Sequence, residues 1–347
     1  INSDGFINDT WELYGIKENP FTTTKILVKG GTLKPECFVG RKEQLEQLGK
    51  IVGAKGGSRT LVYGDVGVGK TSFVNIVRYY AEQKGFFTPF KEIAVQNEWS
   101  SDDFIINTLA SFYSTFKLMR EKPIANVLFK KLEALFEIGS KDYDGGIQVL
   151  GCGISVGQQT KNAGSINTIT LTTLFNDVID NLNNAGKEII IHYNNLELLS
   201  EDNLKKIFED LRDFIQVKGV HFIFVGNLIV YSLFQSMPRF SSILTDTISI
   251  ENLDLKEIKD IIRKRFESLK ISNDLEYIIP FNEEALNSLF DLWGGNIRNI
   301  LNSLSTAIID ITKERPITLD KNLLAITLKK SLEKKYLCKL QSKPKEV

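Results

Sequence analysis

Cysteine and histidine are scarce in this 347-residue chain, with three Cys (Cys37, Cys152, Cys338) and two His (His192, His221). The cysteines stand far apart and form no C-x-x-C pair. That excludes a disulfide framework and a cysteine-ligated zinc site, and it fits a reducing, cytoplasmic setting. Both histidines lie inside apolar runs, where a satisfied core histidine is the simplest reading. Charge of one sign is lacking too. Lys+Arg and Asp+Glu number 43 each, a net charge of 0, so no global field draws the chain to nucleic acid or to a membrane surface. No apolar run reaches the roughly 20 residues needed to span a bilayer, and no secretory leader is visible. Internal repeats and long low-complexity tracts are absent. What is present is an ordinary globular balance, 42% hydrophobic and 25% charged, in a length that holds about two domains.

One stretch specifies a chemistry. Gly64-Asp65-Val66-Gly67-Val68-Gly69-Lys70-Thr71 fits G-x-x-x-x-G-K-[ST], the phosphate-binding P-loop. Leu61–Tyr63 before it reads as a buried strand, and Ser72–Val77 after it opens a helical pattern. In that setting glycines let the backbone curl round a phosphate. Successive N–H groups and the helix N-terminus then supply partial positive charge. Lys70 would reach the β- and γ-phosphates, and Thr71 would offer its hydroxyl to Mg²⁺. A Gly-rich turn is the bland alternative, which the strand before and the helix after disfavour.

The rest of the chain alternates strand and helix and then becomes all helical. Residues 1–37 read as an irregular N-terminal arm punctuated by Pro20, Gly30-Gly31 and Pro35. Arg41–Val52 has apolar residues at helical spacing. Phe90–Val95, Glu188–Tyr193 and Val220–Val225 read as strands. The last two are nearly all apolar, as in a parallel sheet covered on both faces. Helices are expected at about 100–112, 123–138, 170–182 and 201–215. From about Glu251 the strand signals stop. Helices are expected at Leu255–Leu269, after an Asn282 cap to Trp293, at Asn296–Ile311 and at Asp320–Leu340. The expected organisation is thus a nucleotide-binding core at 38–250, a helical lid at 251–328, and a basic helix or tail at 329–347 with seven lysines against two glutamates. A Gly-rich stretch at 144–166 reads as a hairpin or loop insertion. A hairpin there could touch DNA or a partner protein; a plain surface loop is the simpler reading.

Three further segments carry a resemblance. They are Tyr14-Gly-Ile-Lys-Glu-Asn-Pro20-Phe21, Phe38-Val39-Gly40-Arg41-Lys-Glu-Gln-Leu45 and Gly294-Gly295-Asn296-Ile297-Arg298-Asn299. With the P-loop and the helical C-terminal part, they resemble the AAA+ ATPases on the Orc1/Cdc6-like side, over about residues 12–312. There is similarity also to the ExeA-, TnsC- and STAND-type ATPases. The implied fold is a P-loop NTPase αβα sandwich with a parallel sheet, followed by a small all-helical AAA+ lid. The resemblance implies that Phe38, Val39 and Gly40 cradle adenine, though a turn leading into a helix is the plain alternative. It makes Ile189–Tyr193 the Walker B strand, whose usual ending is an acidic pair. Here the pair is Asn194-Asn195. An amide can hydrogen-bond a metal-bound water, but it brings no charge to Mg²⁺ and cannot accept a proton from the attacking water. Glu197 could substitute as a base, a solvated loop carboxylate being the preferred reading.

By position, Asn227 matches sensor 1 or is a turn-forming Asn. Arg239 matches an arginine finger reaching a neighbouring subunit, or is a surface Arg before a strand. Arg298 matches sensor 2, swinging onto the β- and γ-phosphates, over a helix-surface Arg. The expected function is a nucleotide-dependent switch or assembly ATPase holding ATP or ADP with Mg²⁺. The nucleotide would lie on Gly64–Ser72, with the metal at Thr71 and Asn194, and turnover would be slow. The expected partner is a protein or further copies of the chain through the AAA+ interface. A DNA-associated loader and a STAND-like signalling ATPase stand as alternatives; a membrane partner is not expected, and a small-molecule kinase is disfavoured by the helical lid.

Overall fold

The computed structural model describes residues 9–137 and 168–341, with side chains described to 333. The Gly-rich stretch at 144–166 therefore lies outside the described residues, as do residues 342–347 of the basic tail. The chain enters through two short 3-10 turns, Glu12–Tyr14 and Pro35–Cys37. It then forms α1 (Lys42–Gly53), β1 (Ser58–Tyr63), α2 (Lys70–Gln83), β2 (Ile93–Ala94), α3 (Ser101–Leu118) and α4 (Asn126–Glu137). After these come α5 (Thr168–Asn184), β3 (Ile189–Asn194), α6 (Glu201–Asp210), β4 (Val220–Gly226), α7 (Leu228–Gln235), α8 (Pro238–Ser241) and β5 (Asp246–Ser249). Four helices follow with no strand among them: α9 (Leu255–Ser268), α10 (Glu283–Trp293), α11 (Ile297–Ile311) and α12 (Lys321–Gln341).

The five strands pair in parallel in the order β2-β3-β4-β1-β5. β3 and β4 are buried along their whole length, as their apolar runs require. Alternation divides their side chains between two cores. Ile189, Ile191, Tyr193, Phe222 and Phe224 pack under α3, α5, α6 and α7 on one face. Ile190, Ile223 and Val225 pack with α1 and α2 on the other. This is the αβα sandwich of a P-loop NTPase, with a helical lid behind it.

A third core explains the arm. Trp11, Tyr14, Ile16 and Phe21 are buried with Ile258, Ile262 and Phe266 of α9 and Leu301 and Leu304 of α11. The Phe21 ring meets Phe266 edge-on at 5.6 Å. Burying a large apolar side chain contributes roughly 1.5–3 kcal/mol. The arm, irregular in backbone as expected, is therefore an integral layer of the lid. Tyr14 ties it further, its hydroxyl pairing with Thr312 Oγ1 at 2.8 Å and donating to the Ile317 carbonyl at 3.0 Å.

Three elements differ from the sequence expectation. The strand at Phe90–Val95 contracts to Ile93–Ala94. Pro89 has no N–H, its carbonyl is taken by Arg78, and the Phe90 N–H goes to Thr115 Oγ1, so the approach is bonded to side chains instead of a ladder. The helix expected to run to Ile215 stops at Asp210 and is followed by a 3-10 turn at Phe214–Gln216. The histidines are buried: His221 Nδ1 pairs with Ser58 Oγ while its Nε2 faces Glu188 Oε2 at 3.5 Å, and His192 Nδ1 pairs with Arg78 while its Nε2 has no hydrogen-bond partner. Burial lowers the pKa of both, His192 the further because Arg78 and Lys25 add repulsion. Cys37 is a buried free thiol. No helix among the described residues is long and apolar enough to cross a membrane.

Candidate functional site

β1 and α2 deliver the loop Gly64–Gly69 to the C-terminal edge of the sheet, where open parallel sheets bind ligands. Its sharpest constraint is Gly64. At φ 152°, a Cβ there would stand 2.1 Å from the Ile250 carbonyl oxygen. Gly67 and Gly69 also take positive φ, 92° and 96°, and Gly69 ends the loop as the residue before α2.

Five consecutive carbonyls of this loop are held from outside it or by its own lysine. Lys70 Nζ donates to the Gly64 and Asp65 carbonyls, both at 2.8 Å. Asn296 Nδ2 donates to the Val66 carbonyl at 2.9 Å. The Arg298 backbone N–H donates to the Gly67 carbonyl at 3.3 Å, and Arg41 Nη2 donates to the Val68 carbonyl at 2.6 Å. A peptide plane carries C=O and N–H in opposite directions. Each held carbonyl therefore fixes the direction of the next residue's N–H, and the loop's donors are preset. These contacts, two of them from lid residues, engage the acceptor half of the loop and leave the donor half for an anion.

A cleft of about 460 Å³ opens beside the loop. Its walls include Val66, Gly67, Gly69, Lys70, Thr71 and Ser72 of the loop and α2, Asn194, Asn195 and Glu197 after β3, and Arg298 and Leu301 of α11. Lys70 is buried, and burial is the main cause that lowers its pKa; Glu197 and Asp65 oppose the shift, and Arg298 adds to it. Thr71 donates its hydroxyl to Asn194 Oδ1 at 3.0 Å. These two neutral oxygens suit a hard cation that also takes phosphate oxygens. No group of three or more His, Cys, Asp or Glu among the described residues could hold a metal by itself. Asn195 sits at φ 66°, a left-handed conformation that Asn tolerates well.

Glu197 departs from the solvated-loop expectation. It lines the cleft, and its Oε2 is buried with no hydrogen-bond partner. The structure brings Gly67, Lys70, Thr71, Asn194, Asn195 and Arg298 together, but not every expected residue. Phe38 packs at the seam between the lid core and the α1/α2 core, Val39 packs against the lid core, Gly40 lies against Glu257, and none of the three lines the cleft. Asn227 caps α7, its Oδ1 accepting the Val230 N–H at 3.1 Å, and is also outside the cleft walls. Arg239 is exposed on α8 beside a separate hollow of about 290 Å³ lined by Phe208, Glu209 and Arg212. The loop residues Asp65 and Val66 face solvent, and Val68 is buried in the α1/α2 core.

Several contributors escaped the sequence reading. Thr23, Thr24 and Lys25 of the arm and Arg265 of α9 line the same cleft. The Ser72 hydroxyl accepts the Ile26 N–H at 3.2 Å, so the arm crosses the start of α2. Asn296 was quoted only within a motif, yet it both caps α11 and latches the loop. A donor-capable Asn after a Gly-Gly turn was the available signal.

The sequence profile of the KAP family P-loop domain matches residues 44–306. No curated protein matches the chain. Among solved structures, the chain is similar to the Aeropyrum pernix ORC2 protein in its ADPNP–ADP complexes, with 14% identity and a TM-score of 0.52 over 90% of this chain and 71% of that chain. The ADP form of that protein gives 15% identity and a TM-score of 0.51, covering 91% and 73%. The Aeropyrum pernix ORC1 protein in complex with DNA gives 14% and 0.50, covering 85% and 66%. At such identities the likeness is one of fold, the Orc1/Cdc6-like AAA+ fold.

Proposed function

The chain belongs to the KAP family of P-loop NTPases, and from that premise we propose that it is a nucleotide-dependent switch or assembly ATPase with slow turnover. It holds ATP or ADP with Mg²⁺ between the P-loop and the helical lid. The observation that carries this reading is the engagement of five consecutive loop carbonyls, Gly64 to Val68, two of them by lid residues Asn296 and Arg298. Any ligand that organises the loop thereby also biases the lid, and a ligand shifts an equilibrium only through such differential contacts. The ORC2 protein was solved with ADPNP and ADP, which supports an adenine nucleotide as the ligand.

Bound Mg-nucleotide would add negative charge opposite Lys70 and Arg298, beyond what Glu197 and Asp65 supply. Lys70 would exchange the loop carbonyls for phosphate oxygens, Arg298 would reach in from the lid, and Thr71 with Asn194 would offer neutral oxygens to the metal. Asn194 and Asn195 supply no general base, so hydrolysis is slow. Residual turnover depends on Glu197, whose unpartnered carboxylate oxygen is the one feature of the cleft that favours retained hydrolysis. Arg239, outside the walls of its own cleft, acts on a neighbouring copy.

Calorimetric titration of the full chain with Mg-ATP and Mg-ADP, beside Lys70→Ala, tests the reading. Binding by the wild type that Lys70→Ala abolishes is the expected result. Absence of binding, or indifference to Lys70→Ala, overturns it, and brisk wild-type turnover overturns the slow-hydrolysis part. A DNA-associated loader is the second reading, favoured by the ORC1 protein solved with DNA. Binding to duplex DNA that weakens steeply with salt would establish it.

A further inference from the structure

Arg265 is a buried cation without an anion. It is 8% exposed on α9, and no carboxylate among the described residues pairs with it. Its Nη1 donates to the carbonyls of Pro20 at 3.0 Å and Thr22 at 2.7 Å, while its Nε is buried with no hydrogen-bond partner. Arg78, also buried without a carboxylate partner, makes the contrast. Its Nε goes to Thr88, Nη1 to Asn75 and Nη2 to Pro89, and it does not line the nucleotide cleft. Arg78 is a saturated structural cation. Arg265 keeps donor capacity in hand and stands in the cleft wall with Lys70 and Arg298. A buried guanidinium is costly unless an anion meets it. The anion that belongs in this cleft is a phosphate chain.

The same residue anchors the arm. Arg265 on the lid holds the arm at Pro20 and Thr22. Four residues past Thr22, the Ile26 N–H is held by Ser72 Oγ and its carbonyl by Asn75 Nδ2 at 2.9 Å, both on α2. Thr23, Thr24 and Lys25 lie between these anchors and line the cleft. The arm is therefore a strap of five residues, 22–26, laced from lid to core across the ligand's side of the site. It cannot follow both anchors if the lid moves relative to α2.

We propose that Arg265 is a phosphate-contacting cation of the nucleotide cleft and that, through its grip on Pro20 and Thr22, the N-terminal arm reports nucleotide occupancy. The inference rests on the nucleotide reading above and extends it to a residue and a segment outside the P-loop, Walker B and sensor positions.

The test uses the full chain as wild type, Arg265→Gln and Arg265→Lys, titrated with Mg-ATP and with inorganic tripolyphosphate. Hydrogen exchange is followed at residues 20–26. The expected result is a loss on the order of 10- to 100-fold for both ligands in Arg265→Gln, the scale of a charge-assisted hydrogen bond. Arg265→Lys recovers part of the loss, and ATP slows exchange at 20–26 in the wild type. If Arg265→Gln does not fold, the Arg265→Lys titrations and the wild-type exchange decide. Unchanged affinity in the variants, a loss confined to ATP with tripolyphosphate unaffected, or arm exchange indifferent to ligand overturns the proposal while leaving Lys70-dependent binding intact. A wild type that binds neither ligand overturns the nucleotide reading and this inference with it.

Discussion

Asn296 offers the cleanest perturbation of lid coupling, because its side chain does two separable things. Its Oδ1 accepts the Asn299 N–H at 3.3 Å and caps α11. Its Nδ2 donates to the Val66 carbonyl at 2.9 Å and latches the loop. Loss of a cap costs about 1 kcal/mol, and loss of a neutral hydrogen bond costs about 1 kcal/mol. Asn296→Ser keeps a capping oxygen but is too short to hold Val66. It should lose the latch alone, which is about a five-fold fall in affinity for Mg-ATP if the ligand-bound state is the latched one. Thermal stability should stay close to wild type. Asn296→Ala loses both functions and should lower stability by about 1 kcal/mol more than Ser, a shift of about 1–2 °C in a chain this large. Isothermal titration gives the affinity and calorimetry the melting point. If Asn296→Ser binds Mg-ATP as tightly as the wild type, the latch does not couple lid to ligand and the switch reading loses its structural support.

Gly64→Ala should destabilise the fold by about 3 kcal/mol in urea titration, because the new Cβ meets the Ile250 carbonyl at 2.1 Å and the backbone stays strained; a near-neutral result would mean the loop repacks freely. Glu197→Gln should cut residual ATP turnover at least about 10-fold with Kd unchanged, and Asn195→Asp, which tolerates the left-handed backbone at 195, should raise it. If neither rate moves, no base acts from these positions. For His192 the folded pKa lies well below the unfolded value of 6.5 because the ring is buried and faces Arg78 and Lys25. Below pH 6.5 the unfolded chain takes up a proton that the fold refuses, so stability falls as pH drops, by about 1.4 kcal/mol at pH 5.5 for one such site. His192→Gln should show a shallower loss between pH 7.5 and 5.5, and an unchanged slope would refute the assignment.

What was legible in the sequence followed how local the cause was. The P-loop, β3, β4 and the four C-terminal helices are written in short-range patterns of spacing, apolar runs and caps such as Asn282 and Asn296. They appear within a residue or two of expectation. β2 was overextended because the competitors for its backbone, Arg78 and Thr115, come from other elements. Glu197 was misjudged for a similar reason. Nothing near it in sequence shows that the turn after β3 folds back toward Lys70. Phe38–Gly40 and Asn227 do not line the cleft, an outcome of tertiary packing that no local pattern shows.

The arm was the least legible part, and its case bears on how the site works. Residues 9–26 carry little regular structure, so periodicity says nothing about them. Yet Trp11, Tyr14 and Phe21 bury their rings in the lid core, and Ile26 bonds to α2. An irregular segment can be held this firmly only if its partners come from both bodies it touches, since it has no ladder of its own to satisfy its backbone. That requirement is what places arm backbone across a cleft between lid and core. The loop carbonyls show the same logic, since Arg41 from before α1 and Asn296 with Arg298 from the start of α11 bring two distant segments to one eight-residue motif. A change confined to the phosphate-binding loop therefore cannot stay local. It must be absorbed by the lid, by the arm, or by loss of the bonds that join them.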